Sequence, residues 1–456
     1  MTAFLWGAAT SSHQIEGNNI HNDWWDWESQ GNIEGGEGSG LTCDHWNRFA
    51  EDLDLARDLG LNSYRFSVEW SRIEPECGRW NKEALDWYEN LIGECEKRNL
   101  IPMLTLHHFT TPLWFAREGG FTTEKSANWF AGYVKRVVER VGKRVPLWCT
   151  LNEPNTLVVG QYIASYMPPA TYSPRSVSKA SRNLLRAHVQ AYDIIHSKIQ
   201  KREGPFRDHP IAVGIAHNMI DFHPLRTLHP IDRMVTSLFR RFYNRSWPDA
   251  VTGNEQHFGV LGIIPMAAQV PQARGRKTVD FLGVNYYTRV FVACRPFNHG
   301  DSPDLFPTAS SSPVGIVFSK KGDRLSDLGW AIHPTGLGDM CHFLKGYGVP
   351  LYITENGIAD HDDDLRPDYL FSHLTQVAQA ITEGIDLRGY FHWSLLDNFE
   401  WVKGFGPRFG LCAVDYKTQK RSIRRSGQLY REIIAAHGYS APSVSTLETL
   451  CNQESL

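Results

Sequence analysis

Long apolar runs are missing from this chain of 456 residues. That excludes a transmembrane helix, which needs about 20 consecutive apolar residues. Net charge is nearly missing too: 47 Lys and Arg against 50 Asp and Glu leave −3. Neither nucleic acid nor an anionic membrane is expected as a partner on that balance. The eight cysteines (Cys43, Cys77, Cys95, Cys149, Cys294, Cys341, Cys412, Cys451) include no CxxC pair and no zinc spacing. They are expected as buried thiols in a reducing compartment, with neither a metal nor a disulfide framework. No G-x-G-x-x-G follows the first strand-like run, which argues against a doubly wound dinucleotide-binding sheet and leaves no cofactor implied. Met1 is followed almost at once by the strand Phe4-Leu5-Trp6-Gly7 with no apolar leader, so a cytoplasmic location is the expectation. Nor does any linker or internal repeat divide the chain.

What is plentiful is aromatic: 12% of residues, fifteen of them Trp. Large cores use aromatics, and so do carbohydrate sites, where a flat ring packs on the C–H face of a sugar while its N–H bonds a hydroxyl. Eight short apolar runs punctuate the chain: Phe4–Ala9, Asn62–Val68, Ile101–His107, Pro146–Leu151, Ile211–Ala216, Val279–Tyr287, Pro350–Thr354 and Leu387–Ser394. Amphipathic stretches separate them. Arg48–Leu59 presents Phe49, Leu53, Ala56 and Leu59 on one face and stops at Gly60. Asn81 is placed to cap a helix carrying Leu85, Tyr88, Leu91, Ile92 and Cys95, and Trp129–Val141 repeats the pattern. Near-continuous apolar strands interleaved with helices predict a parallel sheet covered on both faces, and eight of them predict a single-domain (β/α)₈ TIM barrel. The barrel domain is read over residues 1–439. Residues 440–456 are read as a polar, frayed tail, and Arg295–Pro313, rich in Pro, Ser, Asp and Gly, as a long surface loop.

Barrels carry their chemistry at the C-terminal ends of the strands. Those ends read Ser11-Ser12-His13-Gln14, Arg65 with Glu69-Trp70, His107-His108-Phe109, Asn152-Glu153-Pro154, Asn285-Tyr286-Tyr287, Glu355-Asn356-Gly357, and Trp393 through Glu400-Trp401. Seven of the eight strands thus bring polar or aromatic groups to one mouth. Glu153 and Glu355 each directly end an apolar run. One such carboxylate could simply pair with an Arg, but two on opposed strands can stand about 5–5.5 Å apart, the separation a retaining glycosidase needs.

At these residues the chain resembles glycoside hydrolase family 1, the β-glucosidase family. The resemblance rests on Phe4 to Gly17 (FLWGAATSSHQIEG), Thr150-Leu151-Asn152-Glu153-Pro154, Ile353-Thr354-Glu355-Asn356-Gly357, and Trp393 to Trp401 (WSLLDNFEW), in the family's order along nearly the whole chain. It implies a retaining β-glycosidase acting on a small β-glycoside or cello-oligosaccharide, without cofactor or metal. Glu355 resembles the nucleophile, with Arg65 and Tyr287 as supports that favour its ionised form. Glu153 resembles the acid and base, its pKa expected to be raised by the charge of Glu355. Asn152 is implied to bond the sugar 2-hydroxyl. Gln14 and Glu400 are implied to bind the 3-, 4- and 6-hydroxyls, with His108 and Trp401 completing the polar ring and Trp393 as stacking floor. His107, its side chain opposite that of His108, is expected in the core.

Other aromatics are ambivalent: Trp70, Trp114 and Trp330 fit the outer cleft or plain packing, while Trp24, Trp25 and Trp27 read as a structural cluster. Asp397 and Asn398 read as ordering their loop, and Tyr286 as packing behind the site. The chain departs from the family at Phe109, where Trp is usual, at Lys403 and Pro407, and around Met167-Pro168-Pro169-Ala170. Three rivals remain. A 6-phospho-β-glycosidase is disfavoured by the carboxylate of Glu400, and a thioglucosidase by the presence of Glu153. A catalytically dead sugar-binding relative would lack one of the two glutamates. Glycone preference, the share of transfer to other acceptors, and oligomeric state are not legible.

Overall fold

The computed structural model describes residues 3–253, 259–260, 264–265, 270–294 and 314–454. Eight parallel strands form the centre: β1 (Leu5–Ala9), β2 (Ser63–Ser67), β3 (Ile101–Thr105), β4 (Leu147–Asn152), β5 (Ala212–Pro224), β6 (Phe281–Cys294), β7 (Leu351–Asn356) and β8 (Leu387–Trp393). Each pairs with its sequence neighbours and β8 pairs with β1, so the sheet closes into the expected barrel. Closure leaves no open edge, and the helices cover the outer face. β1, β2, β3, β4 and β7 are buried along their whole length, in keeping with a parallel sheet covered on both faces. Inside, Met103, Cys149, Ala216, Phe281 and Phe391 fill the barrel. Packing is tight enough that a Cβ on Gly7 would lie 2.4 Å from the Phe391 ring.

The outer helices follow the amphipathic stretches closely. α1 (His45–Asp58) ends before Gly60, whose φ of 74° a residue with a side chain adopts poorly. α2 (Lys82–Lys97) is capped by Asn81, whose side chain accepts from the Ala84 amide at 3.2 Å. It buries Ala84, Tyr88, Leu91, Ile92 and Cys95. α3 (Ser126–Val141) starts one turn earlier than its periodicity suggests, because Ser126 and Ala127 are buried as well.

Three expectations need correction. β5 and β6 do not stop near Ala216 and Tyr287 but run on together to the Pro224–Val292 pair, forming a ribbon beyond the barrel rim. A short strand, Val314–Val317, adds antiparallel to its end. Past the rim one face of the ribbon meets solvent, so burial alternates and the apolar run that marked the strand breaks off. The tail expected to fray contains a helix, Val444–Glu454, docked through Leu447, which is 1% exposed. The cysteines are present as thiols, but Cys77 and Cys451 are exposed and not buried. The surface loop expected at Arg295–Pro313 lies outside the described residues. Among the described residues no helix is long and apolar enough to cross a membrane.

Candidate active site

The C-terminal ends of the strands open into a cavity of about 820 Å³. Glu153 and Glu355 both line it, with His108, Asn152, Tyr287, Trp393, Glu400 and Trp401. Four lining residues, Phe109 (φ 70°), Glu153 (φ 45°), Ser165 (φ 55°) and Trp401 (φ 52°), hold the left-handed conformation. That costs a residue with a Cβ roughly 1–2 kcal/mol and is concentrated at working sites. At Glu153 it marks the sharp turn from β4 into a helix, Pro154–Tyr162, with the Glu153 amide tied to the Ala216 carbonyl at 2.7 Å.

Glu355 is gripped from both sides. Arg65 Nη1 donates to Oε1 and Tyr287 OH to Oε2, each at 2.6 Å, and Arg65 Nη2 reaches Asn152 Oδ1 at 2.6 Å. Arg65 and Glu355 are almost wholly buried, so this charge pair is little screened by water. Gly357 lets the neighbouring strand ends meet: a Cβ there would fall 1.8 Å from the Trp393 carbonyl oxygen.

Glu153 has a different shell, made of neutral groups: two amides and the Thr156 hydroxyl. Its Oε1 accepts from Asn285 Nδ2 at 2.8 Å and Asn218 Nδ2 at 3.0 Å. Burial first, and the Glu355 charge second, push its carboxyl up to about 7, against the opposing pull of those hydrogen bonds. The expected charge of Glu355 does raise it, and loss of water, which the sequence reading did not name, contributes more. Glu400 is pushed up to about 8 by burial, then by the charges of Glu355 and Glu153. Gln14 is fully buried and lies behind Glu400: its Nε2 is 3.4 Å from Glu400 Oε2 and donates at 2.9 Å to Asn398 Oδ1 and to the Phe399 carbonyl. Gln14 is thus brought to the site without lining the cavity itself.

His108 is held well below the ordinary histidine range, by burial and then by Arg65, so it is neutral. Its Nε2 faces Asn152 Nδ2 at 3.2 Å, and its ring lies nearly parallel to Trp393 (5.9 Å) and to Trp401 (6.1 Å). His107 points the other way, against Phe121 and Phe130. Trp70 packs among Phe115, Phe130 and Tyr133, and Trp114 donates to the Glu74 carbonyl; neither lines the cavity. Trp330 and Trp27 do line it, the latter against its reading as structural, while Trp24 packs 4.6 Å from Trp401. Tyr286 bonds the His333 carbonyl behind the site. Asp397 binds Arg424, and Asn398 donates to Ser394 Oγ, so both order their loop.

Sequence reading missed three groups here. Asn285 was visible at a strand end but had no role. Asn218 was hidden because strand five was ended at Ala216; continuing the inward alternation by two residues would have found it. Tyr243, whose OH donates to Asn218 Oδ1 at 3.0 Å, comes from a helical segment that carries no sequence signal. Tertiary folding also brings Asp221, His223 and His333 close enough to hold a metal ion, a grouping the spacing did not show. They lie outside the cavity lining, hydrogen-bonded to one another, with Arg289 Nη1 3.4 Å from His333 Nδ1.

An eight-stranded parallel barrel that presents two unlike carboxylates to one sugar-sized cavity defines an enzyme of the two-carboxylate glycosidase class. The model of glycosyl hydrolase family 1 matches residues 1–439. β-Glucosidase A of Thermotoga maritima is 32% identical, over 95% of this chain and 97% of its own length. A β-galactosidase of Pyrococcus woesei is 31% identical over 95% and 97%. The solved β-glycosidase of Pyrococcus horikoshii is 37% identical over 99% of this chain and 97% of that one, with a TM-score of 0.84. The chain belongs to glycosyl hydrolase family 1 and is a glycoside hydrolase.

Proposed function

We propose that this chain is a retaining β-glycosidase that releases terminal β-D-glucosyl or β-D-galactosyl residues from small β-glycosides or cello-oligosaccharides through a covalent glycosyl-enzyme. The observation that carries the reading is the unlike treatment of two glutamates in one cavity. Glu355 is clamped by a cation and a phenol; Glu153, on neutral groups, is pushed up to about 7.

In the first step Glu355 attacks the anomeric carbon as the bond to the leaving oxygen breaks, and Glu153 gives that oxygen its proton. In the second, Glu153 takes a proton from water, the hydroxyl adds to the anomeric carbon, and the bond to Glu355 breaks. Once the negative charge of Glu355 is spent in the covalent bond, the second largest cause holding Glu153 up disappears, which suits it to act as base. Asn152, held by Arg65 and Asn285, is oriented to bond the 2-hydroxyl. Glu400, with Gln14 behind it, Trp401 and neutral His108 bind the remaining hydroxyls, and Trp393 forms the floor. Both glucose and galactose are included because the Thermotoga maritima enzyme has been solved with glucoimidazole and with a galacto-hydroximolactam. Eight cysteines held as thiols support a reducing, cytoplasmic setting.

A proton-NMR time course of an aryl β-glucoside tests the mechanism. β-Glucose is expected as the first anomer, mutarotating later to α. Early α-glucose means inversion and overturns the nucleophile assignment.

A further inference from the structure

The hydrogen bonds behind Glu153 run past the acid to a residue on no barrel strand. With Asn285 Nδ2 and Asn218 Nδ2 both donating to Glu153 Oε1, a proton on that oxygen would face two others. The transferable proton is therefore confined to Oε2. This holds only while both amides keep their nitrogens toward the carboxyl. Asn285 is fixed from β7, since Thr354 Oγ1 donates to its Oδ1 at 2.7 Å. Asn218 is fixed from outside the barrel: Tyr243 OH donates to its Oδ1 at 3.0 Å and lies 2.8 Å from Thr156 Oγ1. Asn155 Nδ2 ties the two backbones together, donating to the Asn218 carbonyl at 2.9 Å and the Tyr243 carbonyl at 3.2 Å.

Tyr243 sits in a π-helical turn, Arg240–Arg245, between two α-helices. Such turns admit an extra residue and recur at functional sites. The side chain is buried at the cavity wall, and burial holds its phenol far above the ordinary tyrosine range. It therefore keeps its proton at any working pH and remains a donor.

We propose that Tyr243 is a positioning residue whose hydroxyl, acting through Asn218, fixes which oxygen of Glu153 carries the transferable proton. The inference rests on Glu153 being the acid. Without the hydroxyl, Asn218 can turn its Oδ1 toward the carboxyl and hold a proton on Oε1, where it is both harder to lose and aimed away from its task.

The test is Tyr243→Phe, which removes one oxygen, compared with wild type and with Glu153→Ala. In Y243F the alkaline limb of kcat/KM for 4-nitrophenyl β-glucoside should move up by about half to one pH unit, the effect of one net hydrogen bond. The ratio of kcat/KM between 2,4-dinitrophenyl and methyl β-glucosides should widen about tenfold, because only the poorer leaving group needs the proton. In the Glu153→Ala background the same substitution should leave that ratio where E153A alone puts it. An alkaline limb that stays in place, or an equal loss on both substrates, overturns the relay. A ratio widened again in the double variant also overturns it, because the tyrosine would then act without the acid. If E153A itself leaves the ratio at the wild-type value, the assignment of Glu153 fails, and that outcome is distinct from failure of the relay.

Discussion

Glu153 and Glu355 are the same residue type, and their surroundings are unlike: an arginine and a phenol at Glu355, neutral groups at Glu153. In the proposed mechanism Glu153 must be protonated to act as acid, and burial with the Glu355 charge pushes its carboxyl up to about 7. Its contribution as acid would be complete well below pH 7 and lost as pH rises through 7. The pH profile of kcat/KM should show an alkaline limb there. Glu355→Gln removes the second largest cause of that shift, so Glu153 should titrate at lower pH in the variant; carboxyl ¹³C NMR would read the change. An unmoved Glu153 resonance would mean the two carboxyls are not coupled. The same variant should turn over no β-glycoside, and steady hydrolysis by it would remove Glu355 from its role. Glu153→Ala should keep the first step on 2,4-dinitrophenyl glucosides, with stalled turnover rescued by azide, which needs no base. Absence of rescue would count against Glu153 as the base. The paired glutamates, Arg65, Tyr287 and Glu400 were legible because each lies in or beside a strand-end motif. Asn218 and Tyr243 were not, since what makes them matter is the orientation of one amide.

At the scale of elements, strands that are buried on both faces were read within a residue or two, and strands that leave the barrel were read short. The period changes where a strand passes from core to ribbon, and a reading that follows unbroken apolarity stops there. The C-terminal segment shows the converse. Val444–Glu454 carries too few apolar residues to announce a helix, yet Leu447 is almost wholly buried where the helix docks. Tertiary packing, more than propensity, stabilises so short a helix. Leu447→Ala should lower stability by about 2–3 kcal/mol through lost burial and the cavity left behind. Thermal denaturation would show the lower midpoint, with kcat at low temperature unchanged because the helix is remote from the cavity. An unshifted midpoint would mean the helix does not dock as described.

For the whole molecule, closure of the barrel decides what reagents can reach. Cys43, Cys95, Cys149, Cys341 and Cys412 are enclosed, Cys294 is half-buried, and Cys77 and Cys451 are exposed. A thiol reagent should therefore modify Cys77 and Cys451 in the native enzyme, and the five enclosed thiols only on unfolding. Native labelling of Cys149, inside the barrel, would contradict the closed packing. The sequence by itself determined the barrel, the family and the placing of two glutamates at strand ends, because strand apolarity and the motifs at strand ends are local patterns that survive without coordinates. Only the tertiary structure decided what surrounds Glu153 and what stands behind Glu400. Gln14 lies behind Glu400, Asn285 and Asn218 share one oxygen of Glu153, and Tyr243 reaches in from a distant turn. Those relations join residues far apart in the chain, and hydrogen bonds depend on distance and angle in space, which spacing along a sequence does not encode.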